Sequence, residues 1–67
     1  MFLLFKDPDG DEAYYQVRHI MAVWQSKEQA KLRPPITNFL MQCGSDSQIM
    51  LVQGELQDVL DKLRDCW

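Results

Sequence analysis

Histidine occurs once in this chain of 67 residues, cysteine twice, and glycine and proline three times each. Each scarcity excludes something. The two cysteines, Cys43 and Cys66, stand outside any Cys-x-x-Cys spacing, and with His19 they fall short of the four donors a structural zinc takes. Reduced, partly buried thiols are the expectation. The paucity of glycine and proline, beside 46% hydrophobic and 25% charged residues, argues against a disordered chain. Long apolar runs are missing too: Phe2-Leu3-Leu4-Phe5 meets Lys6-Asp7 at once, far short of a signal-peptide core or of the roughly 20 residues of a membrane span. A cytoplasmic protein without membrane insertion follows as the expectation. Basic residues are in deficit, seven against ten acidic, for a net charge of -3. That balance points away from a partner that is a nucleic-acid polymer, since phosphate-tracking domains carry a basic excess.

What is present has to work at small scale. A chain of this length makes one domain, residues 1–67, and buries only about 60% of its unfolded surface. Self-association, a disulfide or a metal is the usual supplement to so small a core.

Punctuation and periodicity divide the chain. Phe2 to Phe5 reads as a strand ended by the turn Asp7-Pro8-Asp9-Gly10-Asp11, where proline presets φ and glycine supplies positive φ. Residues 13 to 24 fit two templates. As a helix running from Asp11 to Arg33, they align Tyr14, Val17, Met21 and Trp24 on one stripe, giving a layered fold with three strands. As strands, Ala13 to Gln16 pairs back on Phe2 to Phe5, and Ile20 to Trp24 forms a third strand after a break near Arg18-His19. Five consecutive apolar residues from Ile20 to Trp24 spoil the amphipathic pattern, and Tyr, Val, Ile and Trp favour strands. The strand reading is therefore adopted, with Gln25 to Pro35 as a long polar connection.

A hairpin follows, Ile36 to Cys43 and Gln48 to Val52, joined by Gly44-Ser45-Asp46-Ser47. Both of its faces carry apolar side chains, so both are expected to be covered. Leu56, Val59, Leu60 and Leu63 recur at i, i+3, i+4, i+7 and mark a C-terminal helix that packs on the sheet. Acidic Glu55 and Asp58 near its start, and Lys62 and Arg64 near its end, suit the helix dipole. Asp58 and Lys62 are spaced as an i, i+4 ion pair. The fold class is α+β, a small antiparallel β-sheet of four to five strands with a C-terminal α-helix.

This order of elements resembles the small flagellar FlbD-like family, which runs from a glycine turn through a Tyr/Leu-bearing strand and an isoleucine to a strand followed by a short acidic helix. The matching positions are Gly10, Tyr14 or Tyr15, Ile20, Val52, Glu55, Asp58 and Val59. The long connection from Ser26 to Pro35 departs from that pattern, as does Gly54-Glu55 where the family has Glu-Ser. The resemblance implies a flagellar accessory role and carries no catalytic residue with it.

Catalytic chemistry finds little footing. His19 has no positioned Ser or Cys partner, and no cation flanks Cys43 to lower its pKa. The acidic run Asp7, Asp9, Asp11 and Glu12 fails the calcium-loop pattern, because the twelfth position counted from Asp7 is Arg18 rather than glutamate. No enzyme, cofactor or metal is expected. Charge distribution says more. Arg18, Lys27, Lys31 and Arg33 oppose Glu28 alone between residues 17 and 35, a net of +3 that leaves -6 elsewhere. Such a segment can hold phosphates or carboxylates, with Tyr15 (or Tyr14) and Trp24 offering an aromatic face. Two functions follow as expectations. The leading one is a non-enzymatic assembly or adaptor module working as a homo-oligomer, motivated by Ile20 to Trp24, the two apolar faces of the second hairpin and Trp67. The alternative is a compact bacterial or phage-encoded protein that sequesters an anionic signalling nucleotide between protomers.

Overall fold

A computed structural model describes residues 1–66; Trp67 lies outside the described residues. Strands β1 (Phe2–Lys6) and β2 (Glu12–Gln16) form a two-stranded antiparallel sheet. Their turn is organised by the Asp7 carboxylate, whose Oδ1 accepts the backbone N–H groups of Asp9 at 3.0 Å and Asp11 at 2.9 Å. Asp7 thereby closes the loop on itself, in the manner of an Asx turn. The register sets Leu3 opposite Tyr15 and Phe5 opposite Ala13, so these four side chains share the inward side while Phe2 and Tyr14 point out.

A 3₁₀ turn at Val17–His19 then redirects the chain into β3 (Ile20–Trp24), which pairs with β4 (Ile36–Cys43); β4 pairs in turn with β5 (Asp46–Gln53). All three pairings are antiparallel, and α+β holds. The five strands form two sheets, however, not the single sheet expected. The 3₁₀ turn separates β2 from β3, and β3 pairs with β4 rather than with β2. The single helix over Asp11 to Arg33 does not form, and the strand reading of residues 13 to 24 stands.

Two further expectations need correction. The hairpin loop is the dipeptide Gly44-Ser45, with β5 starting at Asp46 rather than Gln48. Gly44 adopts φ 64° while Ser45 stays at negative φ, the pattern of a II′ turn, whose hand matches strand twist. The connection after Trp24 also contains a one-turn helix, α1 (Lys27–Lys31). Ser26 Oγ accepts the Gln29 N–H at 3.1 Å and Gln29 Oε1 accepts the Ser26 N–H at 2.9 Å, a capping box that satisfies both otherwise unpaired donors. The Arg33–Pro34 peptide that follows is cis.

Helix α2 (Leu56–Arg64) buries Val59 and Leu63 against the sheets. Its Lys62 does not pair with Asp58: it reaches across to the Leu4 carbonyl and lies 4.5 Å from the Phe5 ring centroid, where a cation–π contact joins the hydrogen bond. Arg64 and Asp61, 3.7 Å apart and exposed, make the ion pair found on this helix, a contact of little energetic weight.

The core lies between the β1–β2 hairpin, α2 and one face of the three-stranded sheet. Phe39 is fully buried and meets Phe5 and Tyr15 edge-on, with ring centroids 5.1 and 5.7 Å away. Gly54 connects sheet to helix. Its N–H donates to the Pro35 carbonyl and its carbonyl accepts from Thr37 Oγ1, both at 2.8 Å. At φ 137°, with a hypothetical Cβ only 3.2 Å from Val59 Cγ2, the position suits glycine alone. Gly54→Ala is expected to lower the unfolding free energy by about 1–3 kcal/mol in urea titration, through backbone strain and displacement of Val59.

Candidate functional site

The three-stranded sheet has two faces, and the chain fills one. Phe39 lies between Val23 and Met50, and Thr37 beside Val52, on the core face. The opposite face carries Ala22, Leu40 and Ile49 in one cross-strand row and Trp24, Asn38 and Leu51 in the next. Ile49 and Leu51 are 57% and 43% exposed, Trp24 39%, and Ala22 is exposed beside a half-buried Leu40. An antiparallel sheet with one solvated face normally presents polar side chains there. Against the expectation that both faces are covered, the described residues leave much of this outer face exposed.

Only one end of this outer face is occupied. The α1 segment lies against β4, where Gln29 and Asn38 exchange two side-chain hydrogen bonds: Gln29 Nε2 donates to Asn38 Oδ1 at 2.8 Å and Asn38 Nδ2 donates to Gln29 Oε1 at 2.7 Å. Asn38 Nδ2 also donates to the Trp24 carbonyl at 3.2 Å. Asn38 is thus a buried amide with its hydrogen-bonding capacity used, which removes the cost of burying it. Ile36, next to it on the same face, is buried apart from the main core cluster.

The residues expected to hold an anion are distributed unevenly. Lys27 and Lys31 sit one helical turn apart on α1, both exposed, and Arg18 is exposed on the 3₁₀ turn. Arg33 turns back on its own segment, its Nη1 donating to the carbonyls of Ala30 at 3.1 Å and Leu32 at 2.8 Å. Trp24 lies on the outer face. Tyr15 is in the core, its ring 5.9 Å from Phe5 and 5.7 Å from Phe39, and it is Tyr14 that remains exposed. His19 is exposed, and both thiols are free, Cys43 at the surface and Cys66 half-buried. Among the described residues no three His, Cys, Asp or Glu side chains gather as metal ligands.

A second feature went unread in the sequence. An open cleft of about 380 Å³ runs between β1 and the end of β5, walled by Leu4, Phe5, Pro34 and Gly54, with Lys6, Glu12 and Lys62 at its polar margin. Residues from five separate segments build it, so no local pattern announces it. The Lys62 ammonium at its rim is already engaged with Leu4 and Phe5.

Burial, reinforced by the nearby Asp7 charge, raises the Tyr15 phenol above its ordinary value near 10. The neutral phenol is therefore favoured in the fold. The stability this contributes is fully present below pH 10 and is lost as pH rises through the raised value, because the unfolded chain releases its proton first. Alkaline denaturation monitored by circular dichroism should show this loss, and Tyr15→Phe should flatten the slope above pH 10. No protein-family model, no curated protein and no solved structure matches this chain.

Proposed function

We propose that this chain is a non-enzymatic assembly or adaptor module that works as a homo-oligomer, covering between copies the apolar residues its own elements leave open. The observation that supports this is the outer face of the β3–β4–β5 sheet, where Ala22, Trp24, Leu40, Ile49 and Leu51 adjoin one another across three strands. Scattered single apolar residues need no explanation, but a contiguous set on one regular face is what interaction surfaces present. Removing it from water contributes about 25 cal/mol per Å² of apolar area. The resemblance to the flagellar FlbD-like family supplies a setting, an accessory role in flagellar assembly, which conserved gene neighbourhood would support. Sedimentation equilibrium at micromolar concentration tests the core of the proposal: the expected mass is two chains or more, and a stable monomer overturns it.

One observation favours a second reading, an anionic small molecule held between protomers. Asn38 ties the Trp24 backbone to the α1 segment, which sets the Lys27 and Lys31 ammonium groups and an indole on neighbouring elements, with Arg18 as a further cation. Phosphates would take the lysines and a base the indole. Thermal-shift titration with nucleotides and cyclic dinucleotides should raise the apparent stability as RT ln(1+[L]/Kd). Lys27→Gln with Lys31→Gln should abolish that rise and leave the unliganded midpoint nearly unchanged, since exposed charges add little to stability. Absence of any shift removes this reading.

A further inference from the structure

Four strands end a sheet in this fold, and three of them are blunted. β1 and β2 are five residues long, and the free carbonyl of Leu4 on β1 accepts the Lys62 ammonium. β3 carries an irregularity in register between Ile20 and Ala22, with Met21 as the extra residue. Short length, a capping lysine and a bulge are the devices by which proteins keep edges from pairing. β5 has none of them. It runs eight residues in unbroken register with β4, contains no proline, lysine or arginine, and has Asp46 at its first position as its one charge.

The ladder decides which backbone groups of β5 are free. Cys43 and Asp46 close the two-residue turn and so form a hydrogen-bonded pair, as do Met41 with Gln48, Phe39 with Met50 and Thr37 with Val52. The Gly54 N–H on the Pro35 carbonyl continues the same alternation. Ser47, Ile49 and Leu51 therefore turn their N–H and C=O groups toward the open edge, and all three residues are exposed. At Gln53 the strand reaches the cleft walled by β1, which limits a neighbour to the residues before it.

We propose that β5 pairs antiparallel with β5 of a second copy about a two-fold axis at Ile49, joining two three-stranded sheets into one of six strands. This rests on the homo-oligomer reading above and specifies how the copies meet. The edge is self-complementary in this register: Ile49 opposes its own copy and Ser47 opposes Leu51, so all three outward-facing positions find partners in about six hydrogen bonds. Ile49 then lies beside its own copy and Leu51 diagonal to the copy's Ile49, on the same side of the sheet, and the two outer faces become one continuous surface. A slip by one residue would instead set the outer face of one copy level with the core face of the other. Charge agrees. Asp46 falls opposite Val52, so the two copies' carboxylates stand at opposite ends of the ladder, about 20 Å apart at roughly 3.4 Å per residue, beyond effective repulsion at physiological salt.

Amide hydrogen exchange by NMR on the full chain, combined with sedimentation, tests the pairing. In the associated protein the Ile49 and Leu51 amides, which face the open edge and have no acceptor among the described residues, should exchange at least about tenfold more slowly than on dilution to monomer. Thr37 and Phe39, whose amides face β5 in the same chain, serve as the internal reference. Leu51→Pro removes an outward donor without touching the β4 ladder and should yield a monomer that keeps Thr37 and Phe39 protection. Ile49→Lys should do the same by adding charge to the edge, and it carries the comparison if the proline variant loses that protection. An oligomer with rapidly exchanging Ile49 and Leu51 amides, or a folded Leu51→Pro that still associates, overturns edge pairing and leaves self-association standing. A monomeric wild-type chain overturns both.

Discussion

The two sheets share no hydrogen-bonded ladder, and the contact that holds them together is the set of three rings, Phe5, Tyr15 and Phe39, meeting edge-on at 5.1 to 5.9 Å. Edge-on packing sets the positive rim of one ring against the negative face of the next, which adds about 0.5–1.5 kcal/mol per pair to the area each ring buries. The geometry also fixes orientation. Two rings come from the β1–β2 hairpin and one from the middle strand of the larger sheet, so the hairpin cannot rotate on the sheet without losing both contacts to Phe39. Lys62 locks the same arrangement from α2, touching the Leu4 carbonyl and the Phe5 ring together. Helix, hairpin and sheet thus converge on one point, and the small core of this chain is stable only as that convergence.

Polar groups do the corresponding work at the other end of β4. Thr37 is fully buried, with its hydroxyl on the Gly54 carbonyl, and Gln25 Nε2 donates to the Ile36 carbonyl at 2.9 Å. Asn38 and Gln29 pair through both amide groups. No buried side-chain nitrogen or oxygen among the described residues lacks a partner. That closure is what allows a polar connection to lie over a sheet that is otherwise apolar, since each amide left unpaired there would cost about 1–3 kcal/mol. A five-residue helix has no stability of its own, and α1 exists because its capping box and the Asn38 pair hold it.

How far this could be read in the sequence depends on the range of each interaction. The Asp7-Pro8-Asp9-Gly10 turn and the heptad-like leucines of α2 are local signals, and the elements they mark stand where expected. The helix at Lys27–Lys31 was also announced, by Ser26-x-x-Gln29, but composition made that stretch look like an open connection. Gly44-Ser45-Asp46-Ser47 offered four turn-forming residues where the strand twist needs two, so β5 begins earlier than its polar start implies. The choice between Tyr14 and Tyr15 was a matter of parity. One residue of register across the Asp7 turn sends Tyr15 into the core and Tyr14 into solvent, and both had been candidates for an aromatic face beside Arg18, Lys27, Lys31 and Arg33. Arg33, another of those candidates, donates to two backbone carbonyls of its own segment, as a basic side chain near a helix end can. The separation into two sheets lay beyond local reading, since nothing in residues 12–24 states whether β3 lies beside β2 or beside β4.

The apolar outer face follows from the same economy. Covering a three-stranded sheet on both sides takes an amphipathic layer for each, and 67 residues supply one full layer, the β1–β2 hairpin with α2. The remaining connection, Gln25 to Pro35, reaches across one end of the second face and turns back into β4. Were Ala22, Leu40, Ile49 and Leu51 polar, the chain would be a finished two-layer fold with a solvated back. Among the described residues Ala22, Ile49 and Leu51 stay exposed and Leu40 is half-buried, so their apolar character gains little burial there. The same four positions could have been filled by threonine or lysine without loss to strand geometry. An apolar set on a regular sheet face is what the proposed pairing between copies would bring together.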